Sequence, residues 1–572
     1  MNLIEKLQSI GYSSTEQFKN LYTNTAASIS YSDGTIENLI FDRLKSLPEN
    51  KIERERELEE GIVDWPTKYH FTWERVNILK PLDFNGDERV LELGGGTGVL
   101  SEYLCDRVRD VVSIEGTLSR AKSIAARCKY KKNIDVIVAD FLELDLVGIF
   151  GENSFDKITL IGVMEYVPKF AKENETDPII NLLKICNKLI KPDGELIIAI
   201  ENKIGLKYLL GFEEDHNAKK QYGPQSFYKK NDVTTFSKAE LKEKLHQSGF
   251  APPDFYFPFP DYKLPQVIIR EGDEIQTLQA KKLLSNLLYS SSSQNYSGRT
   301  TPDIHEGRVL GNFIENDALD LISNSFLLIA KKTKDKEFAI QPFAYYYSVN
   351  RRFNYANEIT FFKENDTIKV LKHWFGKITN DNVLNLAKEG SFAYEFIEGQ
   401  SVHIALDNHF LLNEKQAYIT LFKKWIQFLE NNINNSKYQT FDMMPFNTLV
   451  DSSGDLLFID VDEWQPSKNL SVSQVVSRYI ISHKKYFEWA LSIKKTKALQ
   501  FMNNVLNYFG LPSLSDDEYT YISELNAFLK NEISRKEYKE KGPESKKQKS
   551  ILASIKNKMP YPLKQILKRL KS

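Results

Sequence analysis

Along the first half of the chain, short apolar runs alternate with segments whose apolar residues recur every three or four positions. Runs of this length are typical of buried strands, and the spacing between them is typical of amphipathic helices. The alternation predicts a parallel, doubly wound α/β sheet. The runs of strand length occupy residues 90–93, 111–114, 134–139, 157–163, 195–200 and 325–330, and we expect the last of them to be the last strand of this sheet.

The pattern changes near residue 338. Several strand-like runs, between 338 and 397, come before a long helical pattern at 414–432. A small sheet followed by helices predicts a second, two-lobed α+β domain. The chain is therefore divided into an N-terminal appended segment (1–60), an α/β domain (61–335), the two-lobed domain (336–540) and a C-terminal tail (541–572).

Two local patterns refine this division. The run 53–57 alternates glutamate and arginine, which predicts a solvated helix or a linker. Residues 257–265 contain three prolines, which a strand interior disfavours. We expect this proline-rich segment to form a loop at the rim of a cleft.

A glycine-rich turn follows the first predicted strand. Residues 90–98 read Val-Leu-Glu-Leu-Gly-Gly-Gly-Thr-Gly, and a helical pattern begins directly after them. Glycine has no Cβ, so the backbone can turn sharply here and a ligand can approach it closely. The candidate ligand-binding residues of this turn are Glu92, Gly94, Gly96 and Gly98.

Acidic residues end the next two predicted strands. Glu115 follows about twenty residues beyond the glycine turn, where a carboxylate can hold the two hydroxyls of a ribose. Asp140 follows the run 134–139, from which it can reach an adenine amine. Three successive strand ends that carry glycine, Glu115 and Asp140 predict an adenosine ligand.

The position of Glu92, just before the glycines, distinguishes between adenosine cofactors. A dinucleotide would place its pyrophosphate at this turn, and a carboxylate repels phosphate. The same carboxylate suits the cationic amino-acid end of S-adenosylmethionine. At these residues the chain resembles the class I S-adenosylmethionine-dependent methyltransferases, and the resemblance implies S-adenosylmethionine as the cofactor.

Residues that precede and follow these strands in the chain predict the remainder of a methyltransferase site. His70 lies in a segment that can fold over the cofactor, and an imidazole can act as a general base near neutral pH. A packing role for this histidine is equally open. Polar residues at 201–207 and 214–216 follow a predicted strand, which is where parallel sheets bind ligands. They predict an anionic or sugar acceptor.

A second constellation lies in the two-lobed domain. Four residues separate Asp442 from Asn447, and a hairpin pattern then leads to Asp460 at the end of an apolar run. Phosphoryl transfer from ATP needs an aspartate that accepts the acceptor's proton, and an asparagine and an aspartate that hold magnesium. The segment resembles the protein-kinase-like fold, most closely its aminoglycoside phosphotransferase branch. The resemblance implies Asp442 as the catalytic residue and Asn447 and Asp460 as metal ligands, with Asp462 as a competitor.

The chain departs from that family in two ways. Thr440 stands where the family has histidine, and no glycine-rich phosphate loop precedes the first strands. Lys372 is the candidate phosphate-binding lysine, because Lys369 would point to the other face of the same strand. ATP and Mg²⁺ are the cofactors that this resemblance implies. A degenerate kinase-like fold that binds without catalysis is the alternative.

The last thirty residues have a distinct composition. Residues 543–572 contain nine Lys or Arg and one acidic residue, with apolar residues at three- and four-residue steps. This pattern predicts a C-terminal amphipathic helix that contacts an anionic membrane surface or a partner protein. A soluble basic tail is the alternative.

Composition bears on partners and compartment. The 572 residues have a formal net charge of −1, which gives no overall sign of a nucleic-acid partner. Three cysteines without a C-x-x-C pair indicate a reducing compartment and no structural zinc site. The start of the chain lacks a signal-peptide pattern, and no apolar run is long enough to span a bilayer. We therefore expect a cytoplasmic protein.

The order of these parts resembles one group as a whole, the bacterial bifunctional methyltransferase and kinase-like proteins that cap surface polysaccharides such as O-antigen chains. The resemblance implies that the second domain phosphorylates the terminal sugar and that the first methylates that phosphate or a sugar hydroxyl. It also implies a glycan or lipid-linked oligosaccharide acceptor, polysaccharide-assembly glycosyltransferases as partners, and a peripheral position at the inner face of the cell membrane.

Two other functions stay open at this point. One is a sugar O-methyltransferase whose inactive kinase-like domain only binds glycan or partner proteins. The other is a scaffold that docks glycosyltransferases at the membrane through the basic tail. Turnover of ATP distinguishes the first from a bifunctional enzyme, and deletion of the tail tests the second.

Overall fold

The computed structural model of the chain describes residues 2–24, 36–172, 176–294, 304–333, 341–375, 384–386, 391–433, 442–459, 464–466, 470–493 and 496–529. Several predicted features lie outside these residues. They are the metal ligand Asp460, its competitor Asp462, Thr440, and the basic helix within 541–572. These stay predictions from sequence.

The strands of the described residues follow in chain order. They are β1 (Ser13–Ser14), β2 (Leu21–Thr23), β3 (Arg89–Leu93), β4 (Asp110–Glu115), β5 (Ile134–Val138), β6 (Phe155–Ile161), β7 (Ile190–Glu201), β8 (Asp254–Phe259), β9 (Val267–Arg270), β10 (Ser325–Lys331), β11 (Ala344–Tyr347), β12 (Asn357–Glu364), β13 (Thr367–Trp374), β14 (Leu384–Leu386), β15 (Ser391–Glu395), β16 (Gln400–Ser401), β17 (Thr448–Val450), β18 (Leu456–Phe458) and β19 (Trp464–Pro466).

The α-helices of the same residues are numbered in the same way. They are α1 (Leu3–Ser9), α2 (Ile36–Ser46), α3 (Lys51–Glu60), α4 (Trp65–Phe71), α5 (Val99–Cys105), α6 (Leu118–Arg127), α7 (Leu146–Phe150), α8 (Val167–Phe170), α9 (Pro178–Leu189), α10 (Leu206–Leu209), α11 (Lys238–Gln247), α12 (Leu278–Leu288), α13 (Glu306–Glu315), α14 (Leu319–Ile322), α15 (Val402–Leu411), α16 (Lys415–Ile433), α17 (Val472–Ser482), α18 (Lys484–Leu491), α19 (Ala498–Tyr508) and α20 (Asp516–Leu529).

One sheet of 14 strands runs through most of the described chain, in the order β1-β2-β5-β4-β3-β6-β7-β10-β8-β9-β11-β12-β13-β15. All neighbours from β2 to β7 are parallel, which confirms the predicted doubly wound α/β sheet. Strand β10 is antiparallel to both of its neighbours, β7 and β8. The run 325–330 is thus the last strand of residues 61–335 in chain order, and it lies between β7 and β8 within the sheet.

The proline-rich segment 257–265 is partly strand, which corrects the expectation of a loop. Pro258 lies inside β8. Because β8 pairs with β10 only from Asp254 to Tyr256, one side of the strand has no ladder partner at Pro258, and a residue without an N–H is tolerated there. Beyond the strand, Tyr262 and Lys263 do line a cleft, as expected.

The described residues of the appended N-terminal segment contact the main sheet and its helices. Strand β2 pairs with β5, and helix α2 packs on α6. The charged run 53–57 lies in α3, but Arg54 is buried in an ion pair of 2.6 Å with Glu102, so the run is not simply solvated. At the end of α3, Glu59 accepts a 3.0 Å hydrogen bond from the backbone N–H of Phe353. This bond joins the segment to the second half of the chain.

The sheet continues without a break into that second half. Strand β9 pairs with β11, and β11, β12, β13 and β15 follow as antiparallel neighbours. The later helices, from α15 to α20, pack around Trp425 in a cluster of their own. A small antiparallel sheet before a group of helices is the order that the sequence predicts.

Apolar side chains pack on both faces of the sheet. Val90 and Leu91, adjacent in β3, belong to different apolar clusters, as the alternation of side chains along a strand requires. Both residues are fully buried. The strand therefore has no solvated face, which explains its unbroken apolar run. Among the described residues, no helix has the length and apolar character needed to cross a bilayer.

Candidate active site

The turn between β3 and α5 lines a cleft of about 550 Å³. Gly94 and Gly96 have φ angles of +80° and +58°, in the left-handed region where a Cβ is strained. A Cβ on Gly94 would collide with the side chain of Val163, whereas a Cβ on Gly96 would enter open space. The backbone is therefore directly accessible to a ligand at Gly96.

Gly98, the last glycine of the turn, lies against helix α6. It caps the N-terminus of α5 with a φ of +85°, and a Cβ there would lie 2.9 Å from Cα of Ile124. It is not among the residues that line the cleft. Gly98 thus lets the turn pack against α6, and its predicted ligand contact stays a prediction.

Glu115, at the end of β4, is held beside the glycine turn. Its Oε2 accepts a 2.9 Å hydrogen bond from the backbone N–H of Gly96. Its Oε1 accepts bonds of 3.1 and 3.2 Å from the backbone N–H and the hydroxyl of Thr117. Burial raises the pKa of Glu115, and Arg120 opposes this effect. A carboxylate oxygen can accept more than one hydrogen bond, so both oxygens can also receive ligand hydroxyls.

Glu92 is buried beneath the same turn. Its Oε2 accepts hydrogen bonds from the hydroxyls of Ser101, at 2.5 Å, and Ser113, at 2.7 Å. Burial raises the pKa of Glu92, and the two hydroxyls oppose the shift. The residue lines the cleft as the sequence predicts, with one oxygen occupied by protein donors.

Asp140 follows β5 and lies half-buried in the wall of the same cleft. Its Oδ1 accepts a 2.9 Å hydrogen bond from the backbone N–H of Leu142, and burial raises its pKa. The fold thus brings together the three predicted strand ends. The cleft-lining residues predicted from sequence are Glu92, Gly94, Gly96, Glu115 and Asp140.

His70 also lines the cleft, but its surroundings weigh against a role as a base. Helix α4, which carries it, begins at a capping box formed by Asp64 and Thr67. Nδ1 of His70 lies 3.0 Å from the hydroxyl of Thr97. Burial, together with nearby guanidinium groups, lowers the pKa of His70 to about 3. A proton on this ring is therefore strongly disfavoured near neutral pH, and packing explains the residue better than general-base catalysis.

A second polar group lines the same cleft, and we call it the polar wall: Glu165, Tyr166, His216, Tyr262 and Lys263. Sequence reasoning anticipated the segment of His216 but missed Glu165. Glu165 follows β6 much as Glu115 ends β4, so the signal of an acidic residue near a strand end was available. The wall joins the ends of β6 and β7 to the loop after β8.

Buried charges connect this wall to the segments 201–207 and 214–216. The ammonium group of Lys263 donates to Glu201 and, at 2.6 Å, to Asp215. Burial, with the charge of Glu201, raises the pKa of Glu165 to about 8. Burial lowers the pKa of His216, but the negative charge of Glu201 overcomes this effect and raises it to about 9. The wall is thus a densely charged region with little access to solvent.

A second cleft, of about 580 Å³, brings together Lys372, Asp442 and Asn447. Nδ2 of Asn447 donates a 3.1 Å hydrogen bond to the backbone carbonyl of Asp442. Lys372 is buried on the inward face of β13, while Lys369 pairs with Glu395 at 2.5 Å on the other face. The preference for Lys372 over Lys369 therefore agrees with the position of its side chain.

Cationic groups add to this second cleft. Arg351 and Arg478 both line it. Burial lowers the pKa of Arg478 to about 10, and the negative charge of Asp442 opposes the shift. Positive charge beside Asp442 and Asn447 is compatible with an anionic ligand.

Comparisons with known proteins concern the first half of the chain. A family model described as ribosomal RNA adenine dimethylase matches residues 74–171. The chain is 28% identical over 138 residues to ribosomal RNA small subunit methyltransferase A of Nostoc sp., which covers 22% of this chain and 46% of that protein. It is 28% identical over 156 residues to ubiquinone biosynthesis O-methyltransferase of Pseudomonas aeruginosa, which covers 24% and 62%. The chain spans less than two thirds of the length of these curated relatives.

Among solved structures, an S-adenosylmethionine-dependent methyltransferase from Archaeoglobus fulgidus is 16% identical, with a TM-score of 0.27 over 46% of this chain and 92% of that one. A TM-score of 0.27 is too low to support a conclusion about this chain. The family match is more informative, because residues 74–171 contain Glu92, Glu115 and Asp140. Strand order and family match together give this part of the chain a class I methyltransferase-like Rossmann fold.

Proposed function

We propose that the chain is an S-adenosylmethionine-dependent methyltransferase. The observation that carries this proposal is the hydrogen bond from the backbone N–H of Gly96 to Glu115. It places a carboxylate from the end of β4 next to the one glycine of the turn that opens onto free space. A nucleoside can then lie against the backbone at Gly96 while its ribose hydroxyls donate to Glu115.

The residues of the cleft fit this cofactor. Asp140 lies in the same wall and can accept from an adenine amine. Glu92 beneath the turn disfavours a pyrophosphate and favours a cationic amino group. When bound, S-adenosylmethionine supplies a methyl group activated by its positively charged sulfur. The protein's task is then to orient the cofactor and the acceptor atom and to exclude water.

The weak basicity of His70 favours an acceptor that arrives as an anion. A hydroxyl must lose its proton on methylation, and His70 is a poor base because its pKa is lowered to about 3. A phosphate oxygen already carries negative charge at neutral pH and needs no base. Arg75 lines the cleft, whereas the ammonium group of Lys263 is already paired with Glu201 and Asp215. We therefore favour methylation of a phosphate over methylation of a hydroxyl.

We further propose that this acceptor is the end of a surface polysaccharide or a lipid-linked oligosaccharide. The matched relatives act on different acceptors, and the matched range 74–171 contains the cofactor side of the cleft, so the comparisons do not transfer an acceptor. Support comes from the second cleft, which could place a phosphate on the sugar that the first cleft then methylates.

Residues of the second cleft can each be assigned a role in phosphoryl transfer. Asp442 would accept the proton of the sugar hydroxyl, and Lys372 would contact the phosphates of ATP. Asn447 would hold Mg²⁺ together with Asp460, which lies outside the described residues. The convergence of Lys372, Asp442 and Asn447 on one cleft supports this assignment. An inactive kinase-like domain that only binds glycan remains the alternative, favoured by Thr440 in place of the family's histidine.

One experiment tests these proposals together. The full-length protein is incubated with isotopically labelled S-adenosylmethionine, ATP, Mg²⁺ and a panel of oligosaccharides, and the products are weighed. We expect a product that carries one added phosphate and one added methyl group. A methylated product without phosphate would support the alternative. If no oligosaccharide gains a methyl group, with or without ATP, the polysaccharide proposal is wrong.

A further inference from the structure

We propose that Glu165, Glu201 and His216 form a binding site for a divalent metal cation in the polar wall of the methyltransferase cleft. One ligand atom from each residue lies within 4.8 Å of the others. Metal–ligand bonds to carboxylate oxygen and imidazole nitrogen are about 2.0–2.2 Å long, so ligand atoms around one ion lie about 3–4 Å apart. Small side-chain adjustments bring these three atoms to that spacing.

Each of the three side chains has one polar atom in contact with a neighbouring residue, and its second polar atom faces the proposed site. Oε1 of Glu165 accepts a hydrogen bond of 3.4 Å from the hydroxyl of Tyr262. Oε1 of Glu201 accepts from the ammonium group of Lys263. Nδ1 of His216 lies 3.2 Å from the hydroxyl of Tyr166.

The second atom of each side chain is buried and has no hydrogen bond among the described residues. These atoms are Oε2 of Glu165, Oε2 of Glu201 and Nε2 of His216. Nε2 of His216 and Oε2 of Glu201 are 3.4 Å apart and form an ion pair when the ring is protonated. Buried polar atoms without partners are rare because they give up hydrogen bonds to water and gain none in exchange. A cation would give Oε2 of Glu165 a partner and would take the place of the proton between the other two atoms.

The outer contacts have the arrangement expected around a metal. A metal-bound histidine donates its other ring N–H to an oxygen, which fixes the tautomer that leaves a lone pair on the ligating nitrogen. Nδ1 of His216 can donate to Tyr166 in this way and leave Nε2 available. Tyr262 and Lys263 likewise orient the two carboxylates.

The charge balance is compatible with a divalent ion. With Glu165 ionised and His216 neutral, as metal ligation requires, five carboxylates face two ammonium groups and one guanidinium, a surplus of two negative charges. Without a metal, the raised pKa values of Glu165 and His216 mean that two protons compensate this surplus, and a divalent cation would replace them. Buried charges are costly unless they are compensated. The carboxyl groups are those of Glu165, Glu201, Glu214, Asp215 and Asp261, and the cations are Lys207, Lys263 and Arg75.

The donor set indicates which ions fit. Two carboxylate oxygens and one imidazole nitrogen suit Mn²⁺, Fe²⁺ or Zn²⁺ better than the all-oxygen preference of Ca²⁺ or Mg²⁺. Three protein ligands leave coordination positions open, as in catalytic metal sites. Because Glu165 and His216 line the cleft, these positions can receive an oxygen of the acceptor. This last role rests on the proposed methyltransferase function, whereas metal binding itself does not.

The test uses Mn²⁺ as the probe. The full chain is freed of metal with a chelator and titrated with MnCl₂ while electron paramagnetic resonance reports the free ion. We expect one tightly bound Mn²⁺ per chain. Glu165→Gln and His216→Gln should each weaken this binding by about tenfold or more, and Tyr166→Phe by about tenfold through loss of the outer contact.

Controls separate the metal site from the cofactor site and from misfolding. Glu143→Gln removes an exposed carboxylate that pairs with Lys172 and is not part of the polar wall, so it should leave Mn²⁺ binding unchanged. Gly96→Val should lose S-adenosylmethionine and keep Mn²⁺. Wild-type protein that binds no Mn²⁺ and no Zn²⁺ overturns the proposal and means that protons compensate the buried acids. Folded Glu165→Gln protein with unchanged Mn²⁺ affinity overturns it as well.

Discussion

The backbone N–H of Gly96 donates a 2.9 Å hydrogen bond to Oε2 of Glu115, although 19 positions separate the two residues. This bond joins the ends of β3 and β4 at the only part of the glycine turn where a Cβ, among Gly94, Gly95, Gly96 and Gly98, would meet nothing. A buried carboxylate and an accessible peptide group are thereby presented to the same small volume. The first two predictions follow from this arrangement.

Gly96→Val should abolish binding of S-adenosylmethionine. The branched side chain fills the space where the nucleoside would lie. In addition, the φ of +58° at position 96 strains any residue that has a Cβ. We expect affinity to fall by about 100-fold or more, equivalent to ~2.7 kcal/mol. Isothermal titration calorimetry measures this directly. Gly86→Val is the matched control, because Gly86 also has open space but lies in an exposed turn outside the cleft. Equal affinity in the two variants contradicts the cofactor assignment.

Glu115→Ala should weaken S-adenosylmethionine binding while the acceptor affinity stays the same. The variant loses the hydrogen bonds to the ribose and leaves the N–H of Gly96 without its carboxylate partner. Hydrogen bonds to a charged group contribute about 1.5–3 kcal/mol, so the Kd should rise roughly 10- to 100-fold. Glu243→Ala, which removes an exposed carboxylate outside the cleft, serves as the control. An unchanged Kd in Glu115→Ala would remove this residue from the site.

Lys372→Met and Asp442→Asn should affect different steps at the second cleft. Lys372→Met should weaken ATP binding, and Lys369→Met, on the opposite face of the same strand, should not. Asp442→Asn should keep ATP binding and reduce phosphorylation by roughly 10²- to 10⁴-fold, the usual contribution of a positioned base. Nucleotide binding and phosphate transfer to oligosaccharide are measured separately. Wild-type protein that transfers no phosphate to any offered oligosaccharide contradicts the kinase assignment.

Glu59→Gln should make the protein more stable than the wild type at alkaline pH. Burial, with the neighbouring Glu55, raises the pKa of Glu59 from an ordinary 4.5 to about 8. A raised carboxyl pKa means that the folded state holds the proton more tightly, so wild-type stability falls as the pH rises towards 8 and levels off above it. Glutamine retains an oxygen for the N–H of Phe353 and cannot ionise.

Thermal unfolding at two pH values checks this prediction. At pH 5 the two proteins should unfold within a few degrees of each other. At pH 9 the variant should be more stable by up to about 5 kcal/mol, since the pKa rises from 4.5 to about 8 and one pKa unit corresponds to about 1.4 kcal/mol. A difference that does not change between pH 5 and pH 9 would show that Glu59 is not titrating in this range.

Removal of residues 542–572 should release the protein from anionic vesicles and leave cofactor binding intact. Each basic residue near an anionic leaflet contributes about 1 kcal/mol, so the nine Lys or Arg of this tail give a salt-sensitive attachment. Sedimentation with vesicles at low and high salt is the measurement. Neutral vesicles provide the control. Truncated protein that still sediments with anionic vesicles would place the membrane contact elsewhere in the chain.

The sequence by itself determined the cofactor side of the first cleft. The glycine turn, Glu115 and Asp140 each follow a buried strand directly, and parallel strands all end at the same edge of a sheet. Their meeting in one cleft is therefore a consequence of local pattern and fold class. The presence of Lys372 in the second cleft was also predictable from local pattern. Side chains alternate between the two faces of β13, so Lys372 and Lys369 lie on opposite faces.

Only the tertiary structure decided the rest. Glu165, Glu201 and His216 come from three segments with no shared motif, and their free atoms converge because loops after β6 and β7 fold against the segment after β8. The weak basicity of His70 arises from burial and from guanidinium groups contributed by other elements. The continuous sheet that joins the two halves depends on the pairing of β9 with β11. Contacts between distant segments leave no periodic trace in the chain, so local patterns cannot reveal them.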